Sequence, residues 1–555
     1  MPVIADSTPP GIGSPSLLAE RRGQGWTLVA VVIAALVLAP LLVLISRIGQ
    51  ADPDLMQHLW RFVLPRVAAD SLLLVVLVVT GAGTLGTGLA WLVSRYRFPG
   101  RDLFDWALIL PMALPAYVLG FVLIGLLDFT GPLQTALRGM FGEALRLPAI
   151  RSIGGAALVL SLALYPYVYL LARTAFDSQG QRALEAGRAL GLSRRQAFWR
   201  VALPLSRPWI AAGLLLVTME TLADFGTVAV FNVDTFTTAI YKSWFGLFSL
   251  GTAAQLAAVL LIVALSIAAV EHRLRDRAGY WDTGRSAPAQ RQTLAGWAGW
   301  TASLVCLSVL ALAVVIPVGQ LLVWAVADGH GLADLADGRL WALVSRTLGL
   351  GLAAALLVVV AAALLAYARR EAPGRVTQLA GRLATLGYAI PGAVLAVGVF
   401  VALSLADHLL PALGAGDWRI GGTLVAILFA YLARFLAVGF GPVEAGLDRI
   451  RSSMDEVAQS LGADTRRRLL AVHLPLLAPS LFVGAALVLV DVMKEMPITL
   501  MTRPFGWDTL AVRIFELTSE GQWEAAALPA LALVLAGLPP LILLNRQTRT
   551  GTPTP

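Results

Sequence analysis

Residues 185–204 read EAGRALGLSRRQAFWRVALP and form a charged, amphipathic segment between two long apolar runs. A related segment, EVAQSLGADTRRRLLAVHLP, occupies residues 456–475, which is 271 positions further along the chain. When residues 185–208 are aligned with residues 456–479, nine of the 24 positions are identical without a gap. We call residues 185–204 loop A and residues 456–475 loop B. Their correspondence predicts a tandem duplication with one such loop in each half of the chain.

The composition indicates a membrane protein. Of the 555 residues, 58% are hydrophobic and only 14% are charged, whereas a soluble domain usually carries about a quarter charged residues. The apolar residues form twelve blocks of about twenty residues, the length at which a helix crosses a bilayer. The third block is centred near residue 115. We therefore predict an all-α integral membrane protein with twelve transmembrane helices.

The halves are predicted to be parallel repeats of six helices. Because six is an even number, both repeats enter the membrane in the same direction. A second match supports the duplication, since VDTFTTAIY at residues 233–241 resembles WDTLAVRIF at residues 507–515. The predicted organisation is a disordered cytoplasmic tail, a six-span domain, a polar cytoplasmic linker, a second six-span domain and a C-terminal tail, at residues 1–25, 26–270, 271–295, 296–545 and 546–555.

The distribution of basic residues predicts the orientation. If both termini are cytoplasmic, 28 of the 42 Lys and Arg residues lie in cytoplasmic segments and 12 in loops on the other side. This bias is typical of membrane topology. It also explains the net charge of +8 without a nucleic-acid partner, so we expect no nucleic acid to bind.

Each loop has the sequence of a helix, a tight turn and a second helix. Gly191 and Gly462 stand where a left-handed residue ends a helix. Ser193 and Asp464 follow at the cap position of the next helix. In loop A we expect Pro204 to end that helix. In loop B, Ser453 and Glu456 have the spacing of a capping box. A pair of amphipathic helices lying on the lipid surface is the alternative, but two matched glycine turns favour docking of a cytoplasmic partner.

The motif E-x-x-x-x-L-G, with a proline thirteen residues after the glycine, occurs in both loops. It resembles the EAA loop of permease subunits of binding-protein-dependent ABC importers. That family usually begins the motif with Glu-Ala-Ala, whereas this chain has Glu-Ala-Gly and Glu-Val-Ala. The resemblance implies the type I ABC importer permease fold, with each loop seated on one of two copies of a cytoplasmic ATPase. The positions it implies for coupling are Glu185, Ala186, Leu190, Gly191, Pro204, Glu456, Val457, Leu461, Gly462 and Pro475.

The chain has no nucleotide-binding motif of its own. A P-loop requires Gly-Lys-Ser/Thr, and the two lysines, Lys242 and Lys494, follow Tyr and Met. No Ser/His/Asp or Cys/His arrangement shares a loop, so we expect no enzyme activity and no cofactor in this chain. ATP and Mg²⁺ would be bound by the partner ATPase.

The segments at residues 220–244 and 491–517, ETLADFGTVAVFNVDTFTTAIYKSW and DVMKEMPITLMTRPFGWDTLAVRIFEL, look like those of fused ferric-iron importer permeases. This resemblance implies that ferric iron is delivered by a periplasmic or lipid-anchored binding protein to a permease embedded in the lipid of the bacterial inner membrane. Thiamine, polyamine or phosphonate import is the alternative for the substrate. A twelve-span carrier driven by an ion gradient is the alternative class of protein.

The polar residues in or near the apolar blocks are candidates for the transport pathway. A charge at the bilayer centre costs about 2.5–3.5 kcal/mol, so such groups normally face a cavity or a partner. Asp491 and Lys494 have i,i+3 spacing, and mutual neutralisation or bracing of helix ends is the simpler interpretation. Tyrosines are oxygen ligands for hard metals or, alternatively, interfacial anchors. The pathway candidates are Glu220, Asp224, Asp491, Lys494, Glu495, Tyr165 and Tyr431.

The five histidines are scattered along the chain without the spacing of metal ligands. We therefore expect no high-affinity metal site in this chain. A permease that receives its substrate from a binding protein must hold it weakly, so that the substrate can leave.

Overall fold

The computed structural model describes the backbone of residues 17–47, 57–278, 291–327, 338–409, 411 and 419–550. Side chains are described over the same ranges except at 17–23, 178–186, 188, 194, 271–272, 274–278 and 541–550. The predicted N-tail up to residue 16, the linker residues 279–290 and the C-tail residues 551–555 therefore lie outside the described residues.

Twelve helices in the described part of the chain are long and apolar enough to cross a membrane, which confirms the predicted number. We name them spans 1 to 12 in chain order: Gln24–Ser46, Leu59–Arg95, Ala116–Phe141, Ile153–Asp177, Arg195–Ala223, Leu250–Val270, Trp297–Ala327, Arg339–Glu371, Gly392–Leu409, Leu424–Asp448, Thr465–Lys494 and Trp523–Pro540.

Several of these helices extend beyond the spans, and shorter elements connect them. The longer helices are Leu17–Ser46, Ile153–Ala189, Leu250–Ala278 and Trp523–Thr550. Within span 3 the helices are Ala116–Leu127 and Pro132–Phe141. The connecting helices are Arg101–Ala107, Leu110–Ala113, Gly226–Val230, Phe236–Tyr241, Lys242–Gly246, Arg375–Ala384, Thr385–Ala389, Ser452–Ser460, Pro497–Thr502 and Leu510–Ser519. Two short strands, Tyr96–Arg97 and Gln292–Thr293, pair in parallel.

Two boundaries differ from the sequence prediction. The first helix begins at Leu17, inside the tail predicted to be disordered, because LLAER consists of good helix formers. Span 3 begins at Ala116, where the sequence placed its centre. Pro111 lies in the short 3₁₀ helix before it, and Pro115 is the N-cap residue, so the chain enters the helix only after the second proline.

The helix that follows each loop turn continues into a span, so the prediction that Pro204 closes it is wrong. A π-helical segment, Phe198–Ala202 or Leu469–His473, comes just before the proline in each half. The same arrangement precedes Pro65 and Pro317. A proline lacks the N–H for an α-helical bond and crowds the preceding turn. The wider π turn relieves that crowding, which lets spans 5 and 11 start at the loops.

The two hydrophobic cores do not follow the two halves of the sequence. One core contains spans 2, 3, 4 and 5 together with spans 7 and 12. The other contains spans 8, 9, 10 and 11 together with spans 1 and 6. Span 1 accordingly packs against spans 8 and 9, and span 7 contributes its buried Trp324 to the first core. Each half thus lends its first and last spans to the other half.

Candidate functional site

The turns of loops A and B have the same backbone geometry. Gly191 has φ +86° and Gly462 has φ +79°, the left-handed region that glycine adopts without strain. In each turn an N–H reaches back five residues, from Leu192 to the Gly187 carbonyl at 3.1 Å and from Ala463 to the Ala458 carbonyl at 2.9 Å. The predicted glycine turns are therefore confirmed in both loops.

The helix caps after the turns also match the prediction. In loop A, the Gln196 N–H donates to Ser193 Oγ at 3.3 Å and the Ser193 N–H donates to Gln196 Oε1 at 3.0 Å. In loop B, the Arg467 N–H donates to Asp464 Oδ1 at 2.9 Å. The capping box predicted at Ser453 is wrong, since the helix Ser452–Ser460 already includes that residue and its N-cap is Arg451.

The tip of each turn presents an exposed leucine. Leu190 is 85% exposed and Leu461, its counterpart 271 positions later, is 79% exposed. Val457 and Glu456 on the preceding helix are also exposed, Pro475 is exposed and Pro204 is half-buried. The side chains of Glu185 and Ala186 lie outside the described residues, although their backbone is helical. Two matched, solvent-facing leucines beside rigid turns are suited to contact another surface.

The helix Ser452–Ser460, which leads into loop B, is tied to span 8 by an ion pair that the first half cannot form. Arg370 donates to Asp455 Oδ2 through Nη2 at 2.6 Å and through Nε at 3.0 Å. His473 Nε2 lies 2.6 Å from Asp455 Oδ1. Burial raises the pKa of Asp455, but the Arg370 and His473 contacts outweigh it and hold that pKa below its usual 3.8. The positions of Asp455 and His473 are occupied in the first half by Leu184 and Ala202.

Asp455→Asn is expected to loosen helix 452–460, because it leaves the Arg370 guanidinium without its charged acceptor. A charge-assisted hydrogen bond of this kind contributes about 1.5–3 kcal/mol. Hydrogen exchange of the amides in 452–460 should accelerate roughly tenfold or more, while the amides of 181–190 in the same sample serve as the control. Because the pKa of Asp455 is lowered, the stabilisation is fully present above the usual pKa of an aspartate and is lost only as the pH falls through the lowered pKa. Wild-type exchange protection should therefore be constant from about pH 5 to 8.

A cavity of about 180 Å³ lies between the two halves, at the ends of spans 5 and 11. Both halves contribute to its wall, and all five charged pathway candidates line it. The charged and phenolic lining residues are Glu220, Asp224, Asp491, Lys494, Glu495, Arg434, Tyr117, Tyr167 and Tyr388.

Two of the carboxylates accept hydrogen bonds from the first turns of short helices at equivalent places. The Val228 N–H donates to Asp224 Oδ1 at 3.0 Å and Thr227 Oγ1 donates to Asp224 Oδ2 at 2.9 Å. In the other half, the Ile498 N–H donates to Glu495 Oε1 at 3.2 Å. Asp224 and Glu495 stand just before the N-cap residues Phe225 and Met496 and accept from the first turns of the helices Gly226–Val230 and Pro497–Thr502, which fixes both carboxylates at the cavity wall.

Polar contacts join the two halves across the cavity. Tyr388 Oη donates to Glu220 Oε1 at 3.1 Å, and Lys494 Nζ donates to the Met112 carbonyl at 2.7 Å. Within the second half, Arg434 Nε lies 3.4 Å from Glu495 Oε2. Asp491 and Lys494 lie three residues apart at the end of the helix Leu474–Lys494, and their mutual neutralisation stays a prediction.

The structure separates the two predicted tyrosines from the charged candidates. Tyr165 Oη donates to the Leu108 carbonyl at 2.8 Å, and Tyr431 Oη bonds Thr499 Oγ1. Both side chains are buried in the protein and neither is among the cavity-lining residues. The expectation that they are pathway ligands is wrong, and so is the alternative that they anchor at the membrane interface. Their hydroxyls satisfy buried backbone and side-chain groups between helices.

Sequence analysis missed Arg434, Tyr117 and Tyr388 as members of the site. Arg434 carried a usable signal, since a buried arginine inside an apolar span normally faces a partner or a cavity. The two tyrosines carried none, because their position depends on how the halves meet. Among the described residues, no three His, Cys, Asp or Glu side chains are close enough together to hold a metal ion.

Twelve apolar helices, a charged cavity between two repeats and a matched pair of exposed turns define a multi-pass membrane transport protein of the type I permease architecture. The chain belongs to the family described as the binding-protein-dependent transport system inner membrane component, which matches it twice, at residues 82–270 and 358–549.

Relatives of the chain are named for different substrates. The chain is 28% identical to the Fe(3+)-transport system permease protein FbpB 2 of Haemophilus influenzae over 95% of this chain and 99% of the relative. It is 32% identical to the putative 2-aminoethylphosphonate transport system permease protein PhnV of Salmonella typhimurium over 38% of this chain and 75% of the relative. It is 33% identical to the sulfate transport system permease protein CysT of the same organism over 26% of this chain and 51% of the relative.

Proposed function

We propose that this chain forms both halves of the membrane pathway of an ATP-driven importer, with loops A and B docked on two copies of a cytoplasmic ATPase. The observation that carries the proposal is the exposed pair Leu190 and Leu461 on identical glycine turns. Hydrolysis of ATP, with its Mg²⁺, takes place in the partner. Basic residues are in excess on the side of the membrane that carries loops A and B, which supports cytoplasmic termini.

The helices that follow the loops supply the mechanical link to the cavity. Span 5 runs from Arg195 to Ala223 without a break, and span 11 runs from Thr465 to Lys494. At about 1.5 Å per residue each is roughly 45 Å long. Glu220 and Asp491 lie at the far ends of these helices. A displacement of either loop by the ATPase therefore moves the cavity wall, and it strains the Tyr388–Glu220 and Lys494–Met112 contacts that join the halves.

The proposed substrate is ferric iron, delivered from the outside by a periplasmic or lipid-anchored binding protein. Two observations support it: the near full-length relative transports Fe(3+), and the cavity has four carboxylates against two basic groups. Carboxylate oxygens are suited to hard cations. The phosphonate relative makes an anion the second candidate, but a cavity with excess negative charge repels a phosphonate.

The proposal is tested by reconstituting the chain with its ATPase in liposomes and adding purified binding proteins one at a time. Ferric-loaded binding protein is expected to stimulate ATP hydrolysis several-fold, with the metal-free protein as the matched control. Stimulation by thiamine-, polyamine- or phosphonate-loaded protein instead would reassign the substrate. Uptake driven by an ion gradient without the ATPase would show a secondary carrier.

A further inference from the structure

The four cavity carboxylates are symmetric between the halves, but the two cations are not. Glu220 corresponds to Asp491 and Asp224 to Glu495 at the offset of 271 that relates the loops. At the same offset, the positions of Arg434 and Lys494 are occupied in the first half by Ala163 and Ala223, which also line the cavity. Both basic side chains of the cavity wall therefore come from the second half.

This asymmetry divides the charges unequally. Arg434 Nε lies 3.4 Å from Glu495 Oε2, and Lys494 follows Asp491 by three residues on the same helix, so both basic side chains belong to the half that carries these two carboxylates. Both cations also attract Glu220 across the cavity, yet two basic groups cannot neutralise four carboxylates. The excess of carboxylates over basic groups therefore lies toward the first half, where Asp224 accepts from the Thr227 hydroxyl and the Val228 N–H and forms no ion pair among the described residues.

A third first-half group faces the same place without a partner. The Tyr117 side chain lines the cavity and is only 5% exposed, and its hydroxyl has no hydrogen-bond partner among the described residues. Its ring packs against Gly226, two residues after Asp224. A buried hydroxyl without a partner is costly. A phenol hydroxyl in a cavity that also holds carboxylates suits an oxygen-liganded cation, either by direct contact or through a bound water.

We infer that Glu220, Asp224 and Tyr117 form a transit site for a hard cation in the first half, while Arg434 and Lys494 disable the equivalent site in the second half. The inference rests on the proposed function, of which it specifies the intramembrane step. With only two carboxylates and one phenol, the ion keeps water as its remaining ligands. The site therefore holds the ion by charge and releases it readily. The second half does not bind the ion, because Arg434 and Lys494 place positive charge beside its carboxylates.

The test uses the full chain in phosphatidylcholine nanodiscs, without ATPase or binding protein, and Tb³⁺ alone as the probe. Tb³⁺ is a hard trivalent ion whose luminescence is excited through a nearby tyrosine. Glu220→Gln and Asp224→Asn keep the shape and the hydrogen-bond acceptors but remove one charge each, and each should weaken binding by at least about tenfold. Tyr117→Phe should weaken binding by a few-fold and lower the sensitised emission in part, because Tyr167 and Tyr388 also line the cavity.

Tyr165→Phe is the matched control, because it removes a buried hydroxyl from the same half outside the cavity. Its Tb³⁺ binding should equal that of the wild type. Ala223→Lys, which recreates the charge of the second half, should abolish binding. Because the Tyr117 hydroxyl bonds no described residue, Tyr117→Phe tests the site even if the charge variants fold poorly. Equal binding by wild type, Tyr117→Phe and Ala223→Lys would overturn the inference and assign the signal to lipid.

This outcome is separable from that of the proposed function. If ferric-loaded binding protein stimulates ATP hydrolysis but Tb³⁺ binding ignores all four substitutions, the importer stands and the transit site is wrong. If Tb³⁺ binding follows the substitutions but only another binding protein stimulates hydrolysis, the site stands and its physiological cation is not ferric iron.

Discussion

Leu190→Asp combined with Leu461→Asp is expected to abolish co-purification of the ATPase with this chain. Both side chains are exposed, so the substitutions remove no contact within the folded protein. An apolar anchor at the centre of an interface commonly contributes 2 kcal/mol or more, and the buried aspartate adds a desolvation cost. We therefore expect each loop to lose about 30-fold or more in affinity. The measurement is pull-down of the tagged ATPase, with its affinity from titration.

The matched control replaces the same residues with methionine, which retains an apolar contact of similar volume. Leu190→Met/Leu461→Met should bind the ATPase within a few-fold of wild type. Each single aspartate variant should retain the ATPase at one loop only and lose transport. Full ATPase binding by the double aspartate variant, with unchanged thermal stability, would show that the turns are not the docking sites. It would favour the alternative that the two loops lie on the lipid surface.

Arg434→Met is expected to destabilise the protein more than any other single cavity substitution. Arg434 is paired with Glu495 and donates to the Ile390 carbonyl at 2.6 Å. Removing one partner of a buried ion pair typically costs about 3–5 kcal/mol, because the other charge stays buried without compensation. Thermal unfolding of the chain in nanodiscs measures the loss as a lowered transition midpoint.

The double variant Arg434→Met/Glu495→Gln separates the charge from the packing. Glutamine preserves the acceptor for the Ile498 N–H and removes the orphaned charge, so we expect the midpoint to recover by half or more. If the double variant is no more stable than Arg434→Met, the Ile390 contact or packing explains the cost, and the ion pair contributes nothing measurable.

The sequence predicted what repeats locally along the chain. Apolar blocks define the spans, and Gly191 and Gly462 define turns through their own backbone requirements. Ser193 and Asp464 cap the next helix through contacts three residues away. Each of these features is determined by residues close in sequence, so no knowledge of how the halves meet was needed.

The prediction failed where distant segments decide. Pro204 is a local exception, because it was expected to end a helix and the π segment just before it keeps the helix continuous. Tyr165 and Tyr431 were expected at the pathway or the interface, but the packing of neighbouring helices buries both. Tyr388 reaches Glu220 across 168 residues of chain, a contact that only the meeting of the two halves creates.

The exchange of outer spans between the cores has a consequence for biogenesis. When the ribosome has released only the first half, span 1 has left the translocon without the helices it packs against, and spans 2 to 5 still lack two of their neighbours. Neither core is complete until both halves are in the membrane, so we expect the two halves to fold as one unit. A covalently joined chain keeps the missing neighbours at high local concentration and delivers them in a one-to-one ratio.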